Sequence, residues 1–316
     1  MKRRELIQRS AVFGAAAAVS GFFAGEWLLS KDRGRQAAAS GPDSAGQGLN
    51  PLTPPRTGQI PVAFVISNGT VMIDLAGPWQ VFQDVGIKSR GKSMDHQMPF
   101  RLYTVADKMA TVRTSGGMKI QPDYTFANAP APKLIVIPAQ DGSGDAMLQW
   151  IKSASQHADL TMSVCTGAFI LAQTGLLSGK AATTHHSEYR EFAMQFPNVQ
   201  VKRGVRFVEA GNVASSGGLS SGIDLALRVV ERYFGHQAAV DTAYNMEYQG
   251  QGWMDPASNA VYLKEAVSTE QHPLCPVCQM EVDPATAPTS VYKGKTYYFC
   301  SGTHKSAFDE APDKWI

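Results

Sequence analysis

Four short apolar runs, separated by helical patterns, constrain the fold of this chain more than any other feature. The runs span residues 60–66, 100–106, 133–138 and 160–165. Runs this short and this apolar are typical of strands that are buried on both faces of a parallel sheet. The helical patterns that alternate with them lie at residues 74–85, 144–154, 167–177 and 223–234. This alternation predicts an α/β fold with a doubly wound parallel sheet and right-handed crossovers.

The end of the last helical pattern and the segments around it give three further expectations. The apolar stripe that starts at Ile223 stops before Gly235, so we expect the helix to end there with Gly235 as the residue just after its C-terminus. Residues 199–216 have the alternation and turn residues of a β-hairpin, which we expect at an edge of the sheet. A final helix is expected to run through residues 246–248, before a polar linker at 253–273.

The first 39 residues carry most of the chain's basic character. They contain seven Lys/Arg and three Asp/Glu, with Arg3 and Arg4 followed closely by Leu6 and Ile7 and then by an apolar stretch. This segment resembles a twin-arginine export signal, so we expect a periplasmic protein that folds before export. The alternatives are an uncleaved inner-membrane anchor and a buried N-terminal helix. Residues 40–59 are rich in Gly, Pro and Ser, which predicts a flexible linker.

The rest of the chain has a nearly balanced charge. The formal net charge of +2 for the whole sequence becomes slightly negative once residues 1–39 are set aside. We therefore expect no nucleic-acid partner, since such proteins carry basic patches.

Cys165 stands where an apolar run meets a helical pattern, followed at once by Thr166 and Gly167. Such a turn lifts a side chain above the carboxyl edge of the sheet, where open α/β sheets bind ligands. A helix N-terminus favours thiolate over thiol, so a nucleophile with a lowered pKa is expected. The alternative is an inert buried cysteine, because free cysteines are among the most buried residues.

Residues 60–252 resemble the ThiJ/PfpI superfamily through four motifs. The motifs are DLAGPWQVF (74–82), LIVIPAQDG (134–142), VCTGAFILAQTGLLSGKAATTH (164–185) and SSGGLSSGIDLAL (215–227). The resemblance implies a flavodoxin-like, class I glutamine amidotransferase-like α/β domain that needs no cofactor. Its branch contains isonitrile hydratases and the sensor halves of AraC-type regulators, and superfamily members often form homodimers.

The resemblance also implies roles for individual residues. Cys165 matches the family nucleophile, Asp74 the acid that reaches toward it, and Thr166 the position after the nucleophile. A histidine at the spacing of His185 approaches the thiol in other branches; here it is equally a hydrogen-bonded histidine at a strand end. The alternative for Asp74 is a helix N-cap, and both roles can coexist. Residues expected to hold an oxyanion or the substrate are Ala139, Gln140 and Gly217, with Trp79, 114–117 and 215–218 as candidates for the pocket rim.

Residues 274–316 differ in composition from the rest and contain three cysteines and one histidine. Cys275 and Cys278, then Cys300 and His304, form two close pairs with the spacing of a tetrahedral Zn²⁺ site. A segment this small needs such a staple, although a Cys275–Cys278 disulfide is the alternative in an oxidising compartment.

The same segment resembles a YHS domain, a small metal-associated module. It departs from the family pattern at Gln279, where glycine is common, and at His304, where cysteine is common. A set of three cysteines and one histidine suits zinc, with copper as the second choice.

Two functional hypotheses follow. The first is an exported hydratase that adds water to a small-molecule isonitrile through a Cys165 thioimidate, with an attached metal-binding module. The second is a periplasmic metal-handling or redox- or ligand-sensing protein without catalysis. A DNA-binding regulator is not expected, because no helix-turn-helix pattern follows residue 252.

Overall fold

The computed structural model describes residues 52–263 and 268–316. The predicted export signal at 1–39 lies outside the described residues, as does most of the predicted linker at 40–59. Within the described ranges, no helix combines the length and the apolar character that crossing a bilayer requires.

The described residues contain thirteen strands, and seven of them form one central sheet. In chain order the strands are β1 (Ile60–Val65), β2 (Phe100–Ala106), β3 (Val112–Arg113), β4 (Lys119–Ile120), β5 (Tyr124–Thr125), β6 (Leu134–Ile137), β7 (Leu160–Val164), β8 (Ala181–Ala182), β9 (Gln200–Val201), β10 (Phe207–Ala210), β11 (Val213–Ser216), β12 (Thr289–Tyr292) and β13 (Lys295–Tyr298). The central sheet has the order β10-β11-β7-β6-β1-β2-β5, and only the β10–β11 pair is antiparallel. The predicted parallel sheet is confirmed, with a hairpin at one edge.

Helices cover both faces of this sheet. In chain order, the helices of the described residues are α1 (Met72–Asp84), α2 (Met94–Gln97), α3 (Asp145–Ala154), α4 (Gly167–Gln173), α5 (Tyr189–Gln195), α6 (Ser221–Phe234), α7 (His236–Asn245) and, in the C-terminal segment, α8 (Gly302–Glu310). Short 3₁₀ turns occur at Lys88–Arg90, His186–Glu188, Ala260–Leu263 and Pro312–Lys314. Residues of α1, α6 and α7 pack in one core cluster, and residues of α3, α4 and α5 pack in the other.

The alternation of side chains along β1 shows how the two clusters arise. Val62 and Phe64 point to the cluster under α1 and α6, whereas Ala63 and Val65 point to the cluster under α3 and α4. All four are fully buried. A strand that is covered on both faces has no solvent side, which explains why its sequence is continuously apolar rather than alternating.

Most predicted elements are present, with shifted ends. The helix predicted at 167–177 ends at Gln173, and the predicted hairpin shrinks to residues 207–216. Gly235 follows α6 with φ +88°, as its predicted role at the helix end requires. The helix predicted through residues 246–248 is wrong in its position, because α7 ends at Asn245 and Glu247 has φ +52°.

Part of the predicted linker packs against the α/β domain. Trp253 and Asn259 are buried, and the carbonyl of Pro256 accepts a 2.6 Å hydrogen bond from the backbone N–H of Arg206. The C-terminal segment has its own small core around Phe299 and Phe308, to which Cys275, Cys278 and Trp315 also belong.

Candidate functional site

Cys165 lies in a strained turn between β7 and α4. Its φ of +57° is in the left-handed region, which costs a non-glycine residue roughly 1–2 kcal/mol. Its N–H faces the carbonyls of Ser216 and Gly217 at 3.2 and 3.1 Å, and its carbonyl accepts from Thr184 Oγ1 at 3.0 Å. These bonds from neighbouring segments hold the turn in place. Strain of this kind at the carboxyl edge of a sheet is typical of functional sites.

Asp74 brings a carboxyl group to this turn from the first turn of α1. The helix begins at Met72 with Val71 as its N-cap, so Asp74 is not the cap residue. Its side chain is fully buried, and its Oδ2 accepts a 3.2 Å hydrogen bond from the backbone N–H of Ala139. Its Oδ1 has no hydrogen-bond partner among the described residues. The carboxyl is therefore fixed by one bond and has one oxygen available for chemistry.

The thiol and the carboxyl perturb each other's protonation. Burial raises the pKa of Asp74 from 3.8 to about 7, although the Ala139 N–H and the Cys165 side chain favour its ionised form. Burial and then the Asp74 charge raise the pKa of Cys165 to about 12, against hydrogen bonds from Thr166 and Leu219. The expected low-pKa thiolate is wrong for this protein, because burial and a neighbouring carboxylate outweigh the start of a seven-residue helix.

The resting pair is consequently a thiol beside a carboxyl group that is half ionised near neutral pH. A proton can pass between these two groups when the sulfur attacks an electrophile. The catalytic roles of the two residues stay predictions.

The residues predicted to hold an oxyanion are arranged differently from that expectation. The N–H of Ala139 donates to Asp74, and that of Gly217 donates to the carbonyl of Arg206 at 2.8 Å. The Gln140 side chain donates to the carbonyls of Val65 and Pro138. The N–H groups of Ala139 and Gly217 are thus already engaged. The donors that face the sulfur include the backbone groups of Thr166 and Leu219 and the Thr166 side chain.

Leu219 is a site residue that sequence reasoning missed. It has φ +52°, and its backbone faces the Cys165 sulfur. Its loop is held by Arg206, which bonds Ser220 Oγ at 3.2 Å and Asp224 Oδ2 at 2.7 Å. Tyr248 donates to the other oxygen of Asp224 at 3.0 Å. The buried ion pair of Arg206 and Asp224 therefore fixes the loop that approaches the thiol. The one sequence signal for this ion pair was a charged residue, Asp224, within an otherwise apolar helical pattern.

His185 lies beside the same loop. Its ring is packed on Gly218 so closely that a Cβ there would lie 2.2 Å from His185 Cδ2. Its Nδ1 lies 2.8 Å from Ser187 Oγ, which in turn donates to Glu188 at 2.8 Å. Burial lowers its pKa, so the imidazole is neutral near pH 7. These local contacts fit the alternative given above, in which His185 is a hydrogen-bonded histidine at a strand end.

The candidate rim residues are divided between a cleft and the core. A cleft of about 660 Å³ is lined by residues that include Thr114, Ser115 and Asp141, and neither Cys165 nor Asp74 lines it. Trp79 packs against Phe64 in the core, with ring centroids 4.9 Å apart. Of the predicted rim, the segment around Thr114 therefore faces this cleft, whereas Trp79 does not.

The C-terminal ligands converge as the spacing predicted. One ligand atom from each of Cys275, Cys278, Cys300 and His304 lies within 4.8 Å of the others. Cys300 Sγ is 3.1 Å from His304 Nδ1, and Cys278 Sγ is 3.5 Å from Cys300 Sγ. All cysteines are free, so the alternative of a Cys275–Cys278 disulfide is not formed.

This cluster fits a tetrahedral metal ion. Zn–S and Zn–N bonds of about 2.3 and 2.0 Å place neighbouring ligand atoms roughly 3.5–3.8 Å apart, close to the separations observed. The hydrogen bond between the two thiols lowers the pKa of Cys275 against the effect of burial and raises the pKa of Cys278, so one of the pair is the thiolate that metals bind. Gln279 has φ +63°, which explains why glycine is common at its position.

The sequence comparisons agree with this division into two parts. The DJ-1/PfpI family matches residues 61–232, and the YHS domain matches residues 275–316. The chain belongs to the DJ-1/PfpI family. The resemblance deduced from the four motifs and from the cysteine-rich tail is confirmed, and so is the predicted fold class.

Relatives of this DJ-1/PfpI protein differ in the functions that their names state. The isonitrile hydratase of Pseudomonas putida is 30% identical over 193 residues, which cover 60% of this chain and 76% of the relative. The HTH-type transcriptional regulator CdhR of Pseudomonas aeruginosa is 25% identical, and the match covers 47% of this chain but only 45% of the regulator. The crystal structure of a ThiJ/PfpI family protein from Pseudomonas syringae is 25% identical with a TM-score of 0.54, and covers 72% of this chain and 91% of that one.

Proposed function

We propose that this protein is a cysteine-dependent enzyme that hydrates isonitriles, and that its C-terminal module binds one zinc ion. The observation that carries the proposal is the pair of Cys165, in a left-handed turn, and the fully buried Asp74. The similarity to an isonitrile hydratase supports the substrate class. A homodimer is proposed by family analogy alone.

The raised pKa of the Asp74 carboxyl suits an isonitrile, whose terminal carbon must gain both a nucleophile and a proton. As Cys165 Sγ attacks that carbon, the S–H proton passes through Asp74 to the same carbon, which gives a thioimidate, R–N=CH–S–Cys165. Water then adds to this carbon, and the C–S bond breaks to release R–NH–CHO and the thiol. The sum is one isonitrile and one water to one N-substituted formamide. A carboxyl group with a pKa of about 7 can donate and accept protons near neutral pH.

The test is formamide release from a simple alkyl isonitrile by the purified full chain. Cys165→Ser and Asp74→Asn should each lower kcat/KM by about 100-fold or more. Asp145→Asn is the matched control, because Asp145 is an exposed acid in the first turn of α3. Retained turnover in both site variants would show that the reaction takes place elsewhere in the protein.

A sensor without catalysis is the second candidate. It is favoured by the 7% exposure of Cys165 and by the high pKa of its thiol, since both slow the reactions of a nucleophile. Absence of isonitrile turnover, together with ligand-dependent protection of Cys165 from alkylation, would support this candidate.

Zinc and the periplasm are proposals of the same kind. The three thiolates and one imidazole suit Zn²⁺, which would staple the small C-terminal core and supply structural rather than catalytic chemistry. Metal analysis of the protein isolated from a periplasmic fraction tests both proposals at once. A metal-free protein, or its recovery only from the cytoplasm, would contradict the corresponding proposal.

A further inference from the structure

Helix α5 of the α/β domain supports the C-terminal module directly. Arg190 donates to the carbonyls of Pro276 at 2.9 Å and Lys314 at 3.1 Å, and its guanidinium lies over the Trp315 ring. Met194, one turn further along α5, packs against the small core of the module. The module is therefore docked on α5 near the metal ligands rather than tethered loosely.

Glu191 lies between these two docking residues and faces His304. Its Oε2 is 3.4 Å from His304 Nε2, and both side chains are mostly buried. The other nitrogen of the ring, Nδ1, faces Cys300 Sγ at 3.1 Å and Cys275 Sγ at 3.7 Å. The ring is thus oriented with one nitrogen toward the sulfur ligands and the other toward a carboxylate of a different domain.

This arrangement determines which tautomer of His304 is stabilised. An imidazole can bind a metal through Nδ1 only when that nitrogen has no proton, so the proton must be on Nε2. A carboxylate that accepts the Nε2 proton fixes this tautomer, orients the ring and increases its basicity as a ligand. Glu191 also accepts from Gln195 Nε2 at 2.7 Å through its other oxygen, which holds the carboxylate in position.

We propose that Glu191 is a positioning residue for the metal site, supplied by the α/β domain to His304 of the C-terminal module. The position of His304 is commonly cysteine in YHS domains, and a thiolate has no N–H that would need an acceptor. The histidine of this chain does need one, and the neighbouring domain provides it. Metal binding and docking of the module onto α5 are then coupled, so each strengthens the other by the same factor. This inference rests on the metal site proposed above and not on the proposed reaction.

The experiment measures the Zn²⁺ affinity of the full chain by competition with a chromophoric chelator. Glu191→Ala should weaken the affinity by about 10–100-fold, the usual loss when such a partner is removed. Glu191→Gln should restore most of it, because the amide oxygen can still accept the Nε2 proton. Glu310→Ala is the matched control, since Glu310 is an exposed acid on α8 of the module, and it should bind Zn²⁺ like the original protein.

The same Glu191 substitution in a His304→Cys variant distinguishes an effect on the His304 tautomer from an effect on docking of the module or on the charge near the metal. In His304→Cys the fourth ligand is a thiolate, so the additional change Glu191→Ala should alter the affinity by less than about threefold. Co²⁺ absorption in the thiolate region should be retained in every variant, which shows that the ligands still assemble. An equal loss from Glu191→Ala in both backgrounds, or an affinity of Glu191→Ala within about threefold of the original protein, would overturn the proposal.

Discussion

Replacing Asp74 by asparagine should stabilise the protein at alkaline pH, although it removes the proposed acid. In the folded protein the pKa of Asp74 is about 7, against 3.8 in an exposed carboxyl group. Because the folded-state pKa is raised, its contribution to stability is fully present below about pH 3.8 and is lost as the pH rises to about 7. Asparagine is the same size, can still accept from the N–H of Ala139, and does not titrate.

The size of the effect follows from the two pKa values. One pKa unit corresponds to about 1.4 kcal/mol, so the shift from 3.8 to about 7 is worth about 4 kcal/mol. The difference in free energy of unfolding between Asp74→Asn and the original protein should therefore change by about 4 kcal/mol, in favour of the variant, between about pH 3 and pH 8.5. Titrating groups that do not interact with Asp74 are shared by the two proteins and cancel in the difference. The exception is Cys165, whose pKa the Asp74 charge raises, and in the original protein it remains a thiol throughout this pH range.

Urea unfolding followed by tryptophan fluorescence at several pH values measures this difference. Asp145→Asn, which removes an exposed acid at the start of α3, is the matched control. A difference between Asp74→Asn and the original protein that stays constant with pH would refute the reasoning. It would mean that the carboxyl group is solvated or paired in a way that its burial does not indicate.

Three further predictions concern the thiol, the neighbouring histidine and the metal module. Iodoacetamide should alkylate Cys165 more slowly than a free cysteine at about pH 8, and Asp74→Asn should increase that rate because the carboxylate raises the thiol pKa. Peptide mass spectrometry measures both rates, and rapid labelling of Cys165 in the original protein would contradict the raised thiol pKa. Gly218→Ala should push the loop that leads to Leu219 away from the His185 ring and lower kcat/KM for the proposed hydration by about 10–100-fold, because the Leu219 backbone faces the Cys165 sulfur. Unchanged kinetics would show that the position of this loop has no part in the reaction. Gln279→Gly should stabilise the module by about 1 kcal/mol in thermal unfolding, since it relieves a φ of +63°, and a loss of stability would show that the side chain makes a contact of equal value.

The sheet could be predicted from sequence because its strands are local signals. Each buried strand is an apolar run, and the carboxyl ends of parallel strands meet at one edge, which brings the end of β7 close to α1. Cys165 and Asp74 could therefore be paired from the amino-acid sequence alone, with the family motifs as the guide. The metal ligands could also be predicted from the amino-acid sequence, because two close pairs of Cys and His residues are the spacing that a tetrahedral metal site requires.

The pKa of Cys165 could not be predicted in the same way. The local pattern shows a helix start, which favours thiolate, but the burial and the Asp74 charge that dominate come from segments far apart in the chain. The same holds for Arg206, whose ion pair with Asp224 holds the loop at Leu219, and for Glu191. Contacts of this kind arise from the packing of side chains across elements and leave no periodic trace in the sequence.

The two hydrogen bonds from Arg190 to the C-terminal module have a consequence for the order of folding. Within the module, the contacts between one ligand pair and the other close loops of 22 to 29 residues. Arg190, by contrast, joins positions that are 86 and 124 residues away in the chain. Contacts between distant positions form later than contacts between near ones, because the chain must first give up more freedom. During refolding with Zn²⁺ present, the ion should first be held weakly by the ligands of the module alone, and then tightly once Arg190 has brought the module onto α5.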